Sequence, residues 1–385
     1  MTAKATHKIF SSRSVIAICL VWLIINSVLF WKHGVAINGE PEKYISEANR
    51  MLTEGRFSSS NFWTYFTEIF LIMVTIKLKL GFIFVVIIQW AFNLTATITL
   101  FRFTSDLFNK KAALISTLLF LVNYPLQEFN LFLQTDSLFY SLTIILSCFL
   151  LRLQTLKRKN LLLIFCLMAF IAITRPTGLL FIPPVLLYLF FRFFPSIRFR
   201  NKLLILGVCL CGFFFLLNLA IGSGGELDFM LPYRDERIIC GVPTLPGFVA
   251  IRTANDPNSL YGLAYYITHN FDQFIRMAFK RSLVFWGVTR GYYSLFHNVF
   301  LILLFYPIYL AMILSLGNWY KRNSYVLLYF SSVIIMVWIC VTLTCDDWHN
   351  RFFISISPYL NILGLPFLIK LFNIFAADGQ RKHIQ

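Results

Sequence analysis

The sequence predicts an all-α polytopic membrane protein of about ten transmembrane helices with further interfacial helices, and three observations predict it. Apolar residues make up 58% of the 385 and charged residues only 13%, with a mean hydropathy of +0.72. A water-soluble enzyme of this length needs far more charged surface than 34 Lys and Arg and 17 Asp and Glu supply. Apolar runs close to the 20 residues of a membrane span recur along the chain. The net charge of +17 sits in short basic clusters between those runs, as topology signals do. No basic patch with interleaved aromatic residues occurs, so nucleic acid is excluded as a partner, and the lipid bilayer is the expected surroundings.

The first run, Val15 to Trp31, is followed by Lys32 and by no small-residue cleavage site, which predicts a retained span rather than a signal peptide. The predicted spans are 14–32, 81–101, 112–126, 137–151, 160–174, 177–191, 203–221, 293–316, 324–344 and 353–371. The stretch Phe62 to Ile76 is also apolar, but it is short, opens with Trp63 and Tyr65, carries Glu68 and ends at Lys77 and Lys79. Charge parity decides how it is read. With this stretch interfacial or re-entrant and both termini cytoplasmic, the cytoplasmic segments hold 19 basic residues and the two acids Asp106 and Asp378. The other face then holds 15 of each sign, so the whole net charge becomes a positive-inside signal. The chain divides into a transmembrane module over 1–221, a large extracytoplasmic loop over 222–292 and C-terminal spans over 293–385. Within that loop, Phe271 to Phe285 shows helical apolar spacing with Arg276, Lys280 and Arg281 opposite, predicting a helix on the membrane surface.

Two large loops, 33–80 with its interfacial helices and 222–292, fall on the outer face, so chemistry is sought there. Glu40 and Glu42 stand just beyond the first span, with Glu40, Tyr44 and Ala48 on one helical face. A carboxylate there can act as general base on a hydroxyl arriving from water, although the spacing alone fits a solvated acidic loop better. Asp136 lies at the mouth of the fourth span, where local spacing reads it as an N-cap that leaves room for a second role. Arg175 joins two short runs in Arg175-Pro176-Thr177-Gly178, near the outer headgroups. There it would either grip a lipid-linked phosphate or snorkel to ordinary headgroups. The densest polar cluster beside an apolar run holds Asp346, Asp347, His349 and Arg351; Arg351 reads as a second phosphate clamp oriented by Asp347 or Asp346.

The expected cofactor is none. His349 is isolated from other histidines, no HExxH occurs, and Gly222-Ser223-Gly224-Gly225 lacks the Lys-Ser/Thr of a phosphate loop, so a divalent metal is weakly supported and nucleotide use is not expected. Of eight cysteines, six fall inside spans. Cys240 and Cys345 fall on the outer face, where an oxidising compartment would allow them to bridge the large loop to the Asp346–Arg351 cluster.

These pieces resemble the GT-C class of polytopic glycosyltransferases, in particular the branch of protein O-mannosyltransferases and the lipid A aminoarabinose transferase. Gly39-Glu40-x-x-x-Tyr44-x-x-x-Ala48 is similar to that family's Gly-Asp-x-x-x-Tyr-x-x-x-Ala, with Glu for the usual Asp. Thr135-Asp136-x-Leu138-Phe139, Arg175-Pro176-x-Gly178 and Arg351-Phe352 followed by Pro358 resemble its later motifs, with Phe352 replacing Tyr. The resemblance covers most of 14–192 and the segment around 346–366. It implies inverting transfer of a sugar from a polyprenyl-phosphate donor to an acceptor hydroxyl of a glycan, lipid or protein on the extracytoplasmic face. By that resemblance Glu40 is the base and Asp136 positions the acceptor or the base. Arg175 and Arg351 grip the donor phosphate, and Glu42, Tyr44, Asp347 and His349 complete the binding set. The modest size and short cytoplasmic loops point to a bacterial inner membrane. A polymerase or ligase for lipid-linked glycans is the alternative. A lipid or solute transporter fits less well, because no internal repeat is seen and the ionisable residues gather at helix mouths.

Overall fold

The structure is a computed structural model and describes residues 12–222, 230–242 and 250–382. Lys4, Lys8 and the glycine-rich stretch from Ser223 lie outside the described residues. The helices run in order α1 (Ser12–His33), α2 (Glu40–Glu54), α3 (Phe66–Lys77), α4 (Ile83–Leu107), α5 (Lys110–Leu121) and α6 (Tyr124–Glu128). They continue with α7 (Asp136–Arg152), α8 (Arg158–Thr174), α9 (Ile182–Phe193), α10 (Phe199–Gly222), α11 (Leu231–Arg234), α12 (Leu260–His269) and α13 (Phe271–Gly287). The long helices α14 (Leu295–Arg322), α15 (Ser324–Leu343) and α16 (Arg351–Lys382) follow. Two short strands, β1 (Ile239–Cys240) and β2 (Asp346–Asp347), pair in parallel.

Among the described residues seven helices are long and apolar enough to cross a membrane, or eight if a bent pair counts as one span. The architecture is all-α and membrane-integral, but length and composition do not reach the expected ten. α7 and α8 have 17 residues each, the short end of what a bilayer needs. The predicted straight span 112–126 is α5 and then α6, bent by 64°. The break falls at Asn123, whose φ of −68° and ψ of 77° leave the helical region, and Pro125 in the first turn of α6 has no N–H with which to continue the ladder from α5.

Burial separates central from peripheral helices. α7 is buried along nearly its whole length, and the first half of α16 is likewise enclosed, with Phe353, Ile354, Ile356, Tyr359 and Leu360 in the main core. α10 by contrast exposes Leu204, Val208, Phe215 and Leu219, an apolar surface suited to lipid. Several polar side chains inside the bundle pair with one another, which offsets the cost of burying them where water is scarce. Trp22 donates to Asn93 at 2.7 Å, Asn130 to Asn26 at 3.0 Å and Asn123 to Ser357 at 2.9 Å.

The stretch 62–76 is a 3₁₀ turn (Ser60–Tyr65) leading into α3. At 12 residues, about 18 Å, α3 is too short to span, and it packs on α2 and α8. The predicted surface helix is α13, whose exposed Phe271, Ile275, Phe279 and Leu283 form a lipid-suited stripe at four-residue spacing. Arg281 stands opposite that stripe, as the spacing predicts, and on that side α13 meets the protein. It is fully buried and donates to the carbonyls of Arg237 at 2.9 Å and Thr342 at 3.2 Å, tying α13 to the end of α15.

Candidate active site

Four helix termini meet at one end of the bundle, and each contributes a charge. Glu40 is the first residue of α2 and Asp136 the first of α7; Arg175 directly follows α8 and Arg351 opens α16. Three of the four complement their helix dipoles, carboxylates at N-termini and an arginine at a C-terminus. Arg351 opposes its own dipole, and Asp347 at the preceding strand offsets this with a bond of 2.6 Å to Nη2.

Local chemistry builds each corner. Gly39 takes a positive φ of 78° before α2; its N–H donates to Glu42 Oε1 at 2.9 Å and its carbonyl accepts from Glu42 N–H at 3.1 Å. Glu42 thus caps its helix, with its side chain turned away from the cluster. The segment before α2 is held to the region before α7, because Ala36 N–H donates to Leu131 O at 2.9 Å and Leu133 N–H to Ala36 O at 3.2 Å. Arg175 is extended, with φ −156° and ψ 140°, and the chain folds back under α8 through Gly178. A Cβ on Gly178 would lie 2.6 Å from the carbonyl oxygen of Ile171, so glycine alone fits this turn.

The charges interlock. Arg351 Nη1 donates to Glu40 Oε2 and, at 3.3 Å, to Asp136 Oδ2. Arg175 Nη1 donates to Asp136 Oδ1, and the Tyr140 hydroxyl donates to the same oxygen at 3.0 Å and lies 3.1 Å from the carbonyl of Arg351. The Tyr44 hydroxyl and the Lys43 ammonium reach Glu40 Oε1 at 3.1 and 2.9 Å. Asp136 therefore does not cap α7, correcting the local reading; its side chain is fully buried and spent on the two arginines. Arg351 Nε is buried without a partner among the described residues, an unmet donor at the centre of the cluster.

Burial would raise the Glu40 carboxyl, but the positive charges of Arg351 and Lys43 outweigh it and hold it down at about 2. Asp347 is lowered for the same kind of reason, burial being overcome by Arg351. Asp346 does not orient Arg351. Its carboxylate accepts from Arg290 Nη2 at 2.5 Å, and burial outweighs that arginine to push it up to about 6. His349 stacks on Trp348 with ring centroids 3.5 Å apart, and burial lowers it to about 4, so its ring is neutral near pH 7. Its backbone N–H donates to Asp347 Oδ1 at 2.9 Å, while its ring makes no hydrogen bond to Glu40 or Asp136 among the described contacts.

Cys240 and Cys345 are bridged, with Cα atoms 5.6 Å apart, which joins β1 to the strand that carries Asp346 and Asp347. Three site residues escaped the sequence reading. Lys43 and Tyr140 stand at i+3 and i+4 from Glu40 and Asp136, a signal that helical spacing carries. Arg290 is 56 residues from Asp346, and no spacing rule joins them.

Residues 65–221, less than half of the chain, match the family described as dolichyl-phosphate-mannose-protein mannosyltransferase. No curated protein matches in sequence. Among solved structures, ArnT from Cupriavidus metallidurans bound to undecaprenyl phosphate is similar, with a TM-score of 0.52 at 13% identity. The apo form of that protein gives a TM-score of 0.51 at the same identity. Each match covers 93% of this chain and 60% of the solved one, so the chain spans about three fifths of ArnT's length. The chain thus has the GT-C fold and resembles the branch of that class that holds the protein O-mannosyltransferases and the aminoarabinose transferase.

Proposed function

We propose that the protein is an inverting glycosyltransferase moving a sugar from a polyprenyl-phosphate donor to an acceptor hydroxyl on the extracytoplasmic face, in a bacterial inner membrane. The observation that carries this reading is the pairing of a carboxylate–arginine cluster with an apolar groove beside it. The groove, of about 320 Å³, is lined by Phe66, Phe70, Ile88, Phe92, Leu138 and Ile173 among others, and no polar surface is exposed in it. Leu138 is two residues from Asp136 and Ile173 two from Arg175, so a lipid tail in the groove would lead its phosphate to the arginines. The family description, and the undecaprenyl phosphate bound by the similar ArnT structure, support a lipid-phosphate donor.

The chemistry follows from the charges. Arg351 and Arg175 receive the donor phosphate, which draws them from their carboxylates and gives the unmet Nε of Arg351 a partner. In the ligand-free cluster Glu40 is a weak base, because Arg351 and Lys43 stabilise its anion. A phosphate on Arg351 takes up that positive charge and raises Glu40 toward a working proton affinity, so donor binding prepares the base. The acceptor oxygen then attacks the anomeric carbon, its proton passes to Glu40, and the sugar–phosphate C–O bond breaks with its electron pair left on phosphate. That leaving group is a stable anion, and the arginines stabilise its added charge without a general acid. Asp136, held by Tyr140, keeps both arginines in register.

The test offers the purified full-length protein a panel of polyprenyl-phosphate monosaccharides and measures sugar release or transfer. One donor is expected to be turned over, with a loss of about a hundredfold or more in Glu40→Gln and in Arg351→Ala while the fold is retained. Undiminished turnover in Glu40→Gln would remove Glu40 as base and point to Glu42 or Asp136. Turnover confined to a pyrophosphate-linked oligosaccharide would favour a polymerase or ligase.

A further inference from the structure

At the other end of the bundle, α7, α9, α14 and α15 converge on a pocket of about 310 Å³. α7 alone separates the two ends by its 17 residues, about 25 Å. The pocket's charged lining is Arg192, Lys321 and Arg322, joined by the rings of Tyr188, Tyr320 and Tyr325, and no acidic residue among the described residues lines it. None of the three cations has a carboxylate partner among the described residues, and the nearby Asp106 is already paired with Arg152 at 2.7 Å. Two of them are held in place. Arg322 donates to the carbonyl of Leu107 at 2.7 Å and lies over Phe108, and Arg192 lies 5.1 Å from the ring centre of Tyr325. α15, a 20-residue helix, begins at the pocket and adds the positive end of its dipole.

Topology signals explain why basic residues gather at this end of the spans, but not why three converge on one cavity with hydroxyl donors and no counter-charge. Like charges so placed repel unless an anion joins them. Guanidinium groups and phenol hydroxyls together match the oxygens of a phosphate. We propose that this pocket is a second phosphate site, separate from the candidate active site, and takes a phosphate ester at bilayer-headgroup level. The same chemistry is offered by an anionic phospholipid headgroup and by free phosphate.

The test uses the delipidated full-length protein in neutral detergent and counts bound phosphatidylglycerol against phosphatidylcholine by native mass spectrometry, with inorganic phosphate titrated in a parallel arm. Phosphatidylglycerol retention should fall at least fivefold in the double variant Arg192→Gln, Lys321→Gln and remain at the wild-type level in the control Lys157→Gln, Lys159→Gln. Lys321→Gln alone, at an exposed side chain with no carboxylate partner among the described residues, should weaken retention by a factor of two or more and keeps the test valid if the double variant unfolds. Binding of inorganic phosphate with the same variant dependence, and no lipid preference, would assign the site to the free anion. Equal retention in the double variant and the control would overturn the site and leave only the general charge of this face.

Discussion

One guanidinium, Arg351, is bonded to carboxylates from three separate elements: Glu40, Asp136 and Asp347. Such a buried set is costly to desolvate, and removing one member leaves buried charge less compensated, so each of the four constrains the others. Beside it, two neighbours respond to pH in opposite directions. The Asp346 carboxyl is raised from 3.8 to about 6 by burial, so its contribution to stability is present below 3.8 and lost as pH rises through 6. His349 is lowered from 6.5 to about 4, so its contribution is present above 6.5 and lost as pH falls through 4. The two slopes nearly cancel across this window. In thermal melts, Asp346→Asn should lose stability on acidification from pH 6.5 to 4, and His349→Asn should gain it. Wild type should change little, and three parallel slopes would refute the assignment. Lys43 and Tyr140 were open to sequence reading because helical spacing ties them to Glu40 and Asp136. The Arg290–Asp346 pair was not, since its partners meet only through the fold.

At the scale of elements, the site is an arrangement of helix ends, and the backbone that sets those ends is the part most sensitive to substitution. Gly178 is the clearest case. Its missing side chain lets the turn after α8 pass against Ile171 and directs Arg175 toward Asp136. Gly178→Ala forces backbone against backbone and is expected to destabilise the protein by about 1–3 kcal/mol, the range for overpacking. It should also lower transfer activity about tenfold through the displaced arginine, the rate equivalent of about 1.4 kcal/mol. A melting temperature and activity equal to wild type would show that the turn yields without moving Arg175. Hydropathy located the apolar stretches well and their geometry less well. The bend between α5 and α6 depends on one proline inside an apolar run, and the depth of α7 and α16 in the core depends on their neighbours.

At the scale of the molecule, polar chemistry gathers at one end, a basic pocket lies at the other, and an apolar groove flanks the polar end. If the groove holds the donor's tail, filling it should discriminate by chain length. Ile173→Trp, at the lipid-facing rim, is expected to raise KM for a long polyprenyl donor about tenfold, a cost near 1.4 kcal/mol. A donor of about three isoprene units, too short to follow the groove, should be little affected. Equal effects on both donors would place the tail elsewhere.

By itself the sequence determined that the chain lives in a membrane, which residues lie near which helix ends, and which acids and arginines were candidates for chemistry. Hydropathy, charge and helical spacing are properties of neighbouring residues, so they can be read along the chain. Only the tertiary structure decided that Asp136 faces two arginines instead of capping its helix, that Asp347 and not Asp346 holds Arg351, that Glu42 turns away, and that Arg281 is buried. Each of those outcomes depends on which helix ends packing brings within about 3 Å of one another, the reach of a hydrogen bond, and spacing along the chain does not encode that distance.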